Sequence, residues 1–251
     1  KKLTHLQKLH NHNTMRLNKY LAQCGVASRR GADDLIQRGT TLVNGTMVLD
    51  PAMSVSDSDE IKYDGQIVKP VKQRVIYILN KPKNVITTVK DTHGRRTVME
   101  YVPSGVRLAP VGRLDKDTTG LIMLTNDGKL LQFLTHPKNR IPREYIVEID
   151  GIITPPQITK LKKGLYIGDG EYGRAEIVSQ RKVKGRSKVL LRLHQGKKRE
   201  IRRMCYHLGI NLHHLKRIKF GPITMSNLKI GEFRGLTEQE LKDLDALIKK
   251  R

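Results

Sequence analysis

An α+β fold in two modules is what the sequence predicts, on three observations. Near the N-terminus, apolar residues at helical spacing are confined to two short segments, and two hairpin signals follow at once. A Pro- and charge-rich stretch, Lys69-Pro70-Val71-Lys72-Gln73-Arg74, then interrupts the apolar pattern like a hinge. Beyond it strand-like and helix-like segments mix, which predicts a mixed, mainly antiparallel β-sheet flanked by helices. The boundaries read as a basic tail at 1–14, a small first domain at 15–68, a linker at 69–74 and a second domain at 75–251.

Taken in order, Leu17, Tyr20, Leu21 and Cys24 recur at helical spacing, and Gly25 stands where a C-terminal cap belongs. Ser28 is placed to cap a second helix that buries Ala32, Leu35 and Ile36 and ends at Gly39. Arg29 and Arg30 project from its first turn, where cations oppose the helix dipole, so an anion held at that end accounts for them. Residues 41–43 and 46–48 flank Asn44-Gly45, and residues 61–63 and 66–68 flank Asp64-Gly65, two hairpin signatures. In the second domain, residues 75–79 read as a buried strand ended by Asn80-Lys81-Pro82, with further strands at 145–149 and 189–193.

With 251 residues and 37% hydrophobic content, the chain can bury a core. Its 48 Lys and Arg against 24 Asp and Glu give a formal charge of +24, which implies an acidic polymer as partner: RNA, DNA or acidic membrane. The longest apolar run is the short one at 75–79, whereas a membrane span needs roughly 18 residues or more, so no membrane association is expected. Residues 1–14 lack the apolar core of a secretory signal and read as a flexible basic tail. Cys24 and Cys205 form no paired motif, which fits a reducing, cytoplasmic setting. His207, His213 and His214 lack a Cys pair or an HExxH spacing, so no metal site is expected. No helix-turn-helix signal with dimer symmetry supports a DNA regulator, and a monomer is expected.

Three separated segments of the second domain carry the candidate chemistry. The first, Val111-Gly112-Arg113-Leu114-Asp115-Lys116-Asp117-Thr118-Thr119-Gly120, sets Asp115 in a turn between apolar runs, a common address for a catalytic residue and equally for a turn former. Asp117 reads as organising that turn with Thr118 and Thr119. The second, Arg143-Glu144-Tyr145-Ile146-Val147, puts Tyr145 on one strand face with Val147 and Ile149. In the third, Gly196-Lys197-Lys198-Arg199-Glu200-Ile201-Arg202-Arg203-Met204, one helical face holds Ile201, Met204, Cys205 and Leu208. Another face holds Arg199, Arg202, Arg203 and Tyr206. Between residues 181 and 219 fourteen Lys and Arg meet one acid, Glu200, more one-signed charge than solubility requires, which predicts an extended polyanion site.

Gly-Arg-Leu-Asp with Thr-Thr-Gly-Leu, then Arg-Glu-Tyr, then Arg-Glu-Ile-Arg-Arg-Met, in this order, resemble the RsuA/RluB/RluE/RluF family of pseudouridine synthases. The two helices and Val-Asn-Gly hairpin at 16–68 resemble an S4-type RNA-binding domain, so the resemblance covers nearly the whole chain outside the tail. It implies isomerisation of a uridine in ribosomal RNA or a ribosomal subunit precursor: the N1–C1′ bond breaks, uracil rotates, and C5 joins C1′. By the same resemblance Asp115 is the nucleophile, attacking C1′ or C6 or assisting a glycal route. Arg202 is its basic partner, Tyr145 stacks on the target base, Arg113 stands at the RNA-facing entrance and Ile201 packs beneath the pocket. Lys197, Lys198, Arg199 and Arg203 are expected on the RNA, as are Arg16, Lys19, Arg29 and Arg30 of the first domain. An isomerisation needs no redox change or group transfer, so no organic cofactor is expected. A pocket that excludes water disfavours the carboxylate, and a guanidinium beside it restores the charge and aims the attack with its planar fork. Glu200, where many members carry Gln, together with His93-Gly94-Arg95-Arg96-Thr97-Val98, points to the RluB-like branch and a large-subunit rRNA uridine. The alternatives are a small-subunit rRNA enzyme or a catalytically silent ribosome-assembly factor.

Overall fold

The computed structural model describes residues 14–183 and 185–249, so all of the expected tail but Thr14 lies outside the described residues. The chain forms two compact units that meet between Arg74 and Val75 in sequence.

In the first unit, β1 (Met15–Arg16) leads into α1 (Leu17–Gln23) and α2 (Arg29–Gln37), followed by β2 (Thr41–Val43), β3 (Thr46–Met47), β4 (Ser54–Val55), β5 (Ile61–Tyr63) and β6 (Gln66–Ile67). The sheet order is β3-β2-β5-β6, and β1 pairs with β4. Asn44-Gly45 and Asp64-Gly65 all adopt positive φ, the conformation that tight two-residue hairpins demand. Ser28 Oγ accepts the Gly31 N–H at 2.9 Å and so starts α2, as its position predicts. Leu17, Tyr20, Leu21, Ala32, Ile36, Val43, Val55 and Ile61 fuse both helices and the sheet into one core.

The second unit comprises β7 (Ile76–Lys81), β8 (Ala109–Pro110), β9 (Thr119–Thr125), α3 (Gly128–Thr135), β10 (Arg143–Asp150), α4 (Pro155–Lys163), β11 (Leu165–Tyr166) and β12 (Tyr172–Gly173). It continues with β13 (Glu176–Val183), β14 (Arg186–Leu193), α5 (Glu200–His207), β15 (Leu212–Phe220), β16 (Ile223–Thr224), β17 (Phe233–Gly235) and α6 (Glu238–Lys249). The main sheet runs β13-β14-β10-β15-β9-β7-β17. Its pairs are antiparallel except β15 with β9, so the sheet is mixed and mainly antiparallel, as the sequence predicts. Around β10, β14 and β15, Val147, Ile149, Val189, Leu191 and Leu215 pack on Leu161 of α4 and on Ile201 and Met204 of α5. Around β7 and β9, Ile76, Ile78, Leu121 and Met123 pack on Leu130 and Leu134 of α3 and Leu244 of α6. Leu79, Ile122 and Leu124 meet Val98, Leu108 and Leu114 in a third cluster.

One sequence boundary is corrected. Asn80 and Lys81 do not end the first strand but belong to it, and both are buried. Lys81 tolerates burial because its Nζ donates to the carbonyls of Val85 (2.6 Å), Pro82 (2.9 Å) and Lys116 (3.3 Å). Asn80 donates to the Leu228 carbonyl at 2.8 Å.

The parallel junction fixes the sheet's centre. Gly120 lies opposite Arg217, at a φ of +99°, and a Cβ there would run into the Arg217 carbonyl oxygen. Only glycine fits both the dihedral and the approach. Gly120→Ala is therefore expected to lower unfolding stability by more than about 2 kcal/mol, read from the urea midpoint; an unchanged midpoint contradicts this close contact.

Candidate active site

Asp115 stands in the loop that feeds β9. Thr87 Oγ1 donates to the Leu114 carbonyl and accepts the Leu114 N–H, at 2.9 and 3.2 Å, pinning the residue before it. The Thr118 N–H donates to the Asp115 carbonyl at 3.0 Å, closing a turn, and the Asn84 N–H donates to the Lys116 carbonyl at 2.9 Å from a left-handed φ of +66°. Lys81 holds the same loop from below. Burial pushes its ammonium down to about 8, while attraction to Asp117 and then Asp115 opposes that fall.

Asp115, Tyr145, Arg202, Arg113, Ile201, Lys197, Lys198 and Arg199 all line one cavity of about 370 Å³. Arg202 Nε lies 3.9 Å and Arg199 Nη1 3.8 Å from Asp115 Oδ2, so two guanidiniums share the carboxylate rather than one. Neither closes the bidentate fork expected of Arg202; its Nη2 donates instead to Thr118 Oγ1 at 3.4 Å, and its Nε, though buried, has no hydrogen-bond partner. The Asp115 side chain keeps 32% exposure and is thus not sealed from water. Such pairs contribute at most about 1 kcal/mol to folding, so their value lies in charge and aim. Arg113 is exposed at the mouth and Ile201 is buried beneath. Tyr145 sits on β10 opposite Arg217 of β15, half-buried on the face of Val147 and Ile149.

Two further wall residues are Arg217, which none of the sequence motifs contains, and Arg143, which the Arg-Glu-Tyr motif contains without marking it as part of the wall. Arg217 is fully buried, its Nε donating to the Leu121 carbonyl at 2.7 Å and its guanidinium 5.0 Å from the Phe220 ring centre. Burial lowers its affinity for the proton, and the neighbouring Tyr145 hydroxyl works in the opposite sense. Arg143 Nη1 donates to the Gln195 carbonyl at 3.2 Å, with its guanidinium 4.7 Å from the Phe220 ring centre. Gly120 packs against the Arg217 main chain. The available signal was Arg217's place on the same alternating phase as buried Leu215.

Other predicted contacts fall elsewhere. Arg203 is committed to the 167–171 loop: Nε donates to the Ile167 carbonyl (2.6 Å), Nη2 to the Gly168 carbonyl (2.7 Å) and Nη1 to Glu171 (2.6 Å). The extended polyanion site is also redrawn, because acids distant in sequence meet its cations. Arg192 pairs with Glu144 and Glu176, Lys188 with Glu148, and Arg186 with Asp150. His213 binds Asp150 at 2.6 Å. In the first unit, Arg16, Arg29 and Arg30 are exposed and Lys19 is half-buried.

The sequence profile of the family described as RNA pseudouridylate synthase matches residues 75–207. The chain belongs to the RNA pseudouridylate synthase family. An S4 domain profile matches residues 15–61. Among relatives, the ribosomal large subunit pseudouridine synthase B of Bacillus subtilis (strain 168) is 37% identical over 237 residues, spanning 92% of this chain and 96% of that protein. The dual-specificity RNA pseudouridine synthase RluF of Escherichia coli (strain K12) is 35% identical over 240 residues, spanning 94% of this chain and 80% of that one. A crystal structure of a pseudouridylate synthase superposes with a TM-score of 0.65 at 26% identity, covering 92% of this chain and 99% of the other. In this pseudouridylate synthase the cavity lies where β9 and β15 run parallel, with Asp115 from one side and α5 from the other.

Glu200 anchors the start of α5. Its Oε2 accepts the Lys197 N–H at 3.2 Å and its Oε1 the Arg174 N–H at 3.4 Å. Burial raises its carboxyl above the usual range, against the pull of those N–H groups and of Lys197 and Arg143. The folded state thus holds the Glu200 proton more tightly than the unfolded chain, and that contribution is lost as pH rises through the carboxylate range. Glu200→Gln is expected to gain in Tm relative to the native chain as pH climbs from about 4 to 7; a difference in Tm constant with pH contradicts it.

Proposed function

We propose that this protein isomerises a uridine of ribosomal RNA to pseudouridine, with Asp115 as nucleophile and a large-subunit site as substrate. One observation carries the reading: a single cavity gathers a carboxylate flanked by two guanidiniums, an aromatic ring and a basic rim. The naming of the Bacillus subtilis relative and the Glu200 signature both favour the large subunit.

The target atoms are inaccessible in a stacked helix, so the nucleotide must swing out, at a cost of a few kcal/mol. Lys197, Lys198 and Arg199 at the rim attract the backbone, and Tyr145 offers its ring to the base. Arg199 and Arg202 stand against Asp115 Oδ2 and aim the carboxylate when the base displaces water. Asp115 attacks C1′ or C6, or assists departure of the base by a glycal route. In each case the N1–C1′ bond breaks, C5–C1′ forms, the C5 proton leaves and N1 gains one. Atoms and electrons balance within the nucleotide, so no organic cofactor takes part. The protein acts as a cytoplasmic monomer, and its first unit contributes RNA contacts through Arg16, Lys19, Arg29 and Arg30.

Release of tritium from rRNA labelled at uridine C5 tests the assignment. The native protein is expected to release it, and Asp115→Asn to lose at least about a thousandfold in rate, as befits an essential nucleophile. Absence of release by the native protein on rRNA and subunit precursors overturns the function, and equal release by Asp115→Asn moves the nucleophile elsewhere. Arg202→Lys keeps a charge but loses the planar donors, so reduced yet measurable turnover is expected in the same assay, and full turnover contradicts its role.

A further inference from the structure

Next to the catalytic cavity the surface carries an exposed aromatic cluster that the reaction does not use. Tyr206 is 81% exposed, Tyr172 56% and Tyr166 49%, so three of the chain's eight tyrosines lie bare in one patch, with His207 beside them. Tyr166 meets Tyr172 edge-on with ring centres 5.5 Å apart, Tyr206 meets His207 edge-on at 5.5 Å, and His207 lies 6.4 Å from Tyr166. Edge-on contacts hold rings in place without covering both faces of each, so flat faces stay available.

The patch is firmly mounted. Tyr166 and Tyr172 are a cross-strand pair of the β11–β12 hairpin, and Arg203 clamps that hairpin's loop onto α5 through its carbonyls and Glu171. Gly173 lies so near Met204 of α5 that a Cβ would fall 2.8 Å from its side chain. The patch is also continuous with the cavity. Lys197 Nζ donates to the Tyr172 carbonyl at 2.9 Å, and Gln195 Nε2 donates to it at 3.5 Å; both residues line the cavity. On α5, Tyr206 stands one turn beyond Arg202 on the same face.

We propose that Tyr166, Tyr172, Tyr206 and His207 form a stacking platform for unpaired RNA bases flanking the target uridine. A protein of net charge +24, with Lys197, Lys198 and Arg199 at the adjoining rim, draws in a polyanion, and the open rings then take its bases. This rests on the RNA-modifying role proposed above and adds where the strand lies on leaving the pocket. It also explains the commitment of Arg203, which positions the platform rather than the RNA.

The test compares the full-length protein with Tyr172→Ala/Tyr206→Ala and Tyr172→Phe/Tyr206→Phe, using a twelve-nucleotide (about one OB-fold site in size) single-stranded oligouridylate and C5-tritiated large-subunit rRNA. For the alanine pair, affinity for the oligouridylate is expected to fall at least about tenfold at fixed salt, with the slope of log K against log salt unchanged. KM for rRNA rises more than kcat falls, and the phenylalanine pair stays near native because its rings still stack. Unaltered affinity and KM in the alanine pair overturn the platform. So does an equal loss in the phenylalanine pair, or a loss of affinity matched by a shallower salt slope. If the native protein releases no tritium, the catalytic assignment fails while the oligouridylate comparison still decides the platform.

Discussion

At Gly120 and Arg217 two parallel strands run so close that one added methyl group would strike the neighbouring main chain, and the cavity inherits its geometry from that contact. Asp115 reaches its position because the strand it feeds is pressed against β15. On the other side, α5 is the segment leading into β15, so the helix carrying Arg202 is tied to the same strand. Carboxylate and guanidinium are thus brought together by backbone packing, and the weak 3.9 Å ion pair between them is its consequence. Arg217 fills the space behind, its guanidinium against Phe220 and near the Tyr145 hydroxyl.

Much of this was legible wherever local chemistry decides the outcome. Ser28, Asn44-Gly45 and Asp64-Gly65 prescribe a cap and two tight turns that need no partner from elsewhere in the chain. The apolar face of α5 was equally plain, because Ile201, Met204 and Cys205 recur at helical spacing and are buried together. The ordered motifs around Asp115, Tyr145 and Arg202 brought those three residues to attention, and they line one cavity. Lys81 reads as a strand terminator in sequence because a lysine is ordinarily exposed, and one of the three carbonyls that satisfy it when buried, that of Lys116, lies far along the chain. Arg217 was hidden likewise: its acceptor, the Leu121 carbonyl, lies on another strand.

Charge was the least legible property. A run of cations from 181 to 219 reads as one continuous surface in sequence, yet β10 sets Glu144, Glu148 and Asp150 directly opposite Arg192, Lys188 and Arg186. Cross-strand pairing balances that part of the sheet, Arg203 is taken up by the 167–171 loop, and Arg217 lies in the interior. The exposed and half-buried cations of the run left at the cavity are Lys197, Lys198 and Arg199 just before α5 and Arg202 within it; Arg199 opens the helix from a left-handed conformation and turns its guanidinium towards Asp115. Position within the fold, more than number, determines which cations face the substrate.

The first two cations of that run have a different consequence. Arg181 and Lys182 are exposed on β13, the terminal strand of the main sheet's order. An edge strand offers an open row of main-chain donors and acceptors, and adjacent like charges make it a poor template for a second copy of itself. What began as a reading of nucleic-acid affinity therefore ends, for this strand, as protection of a large sheet against self-assembly.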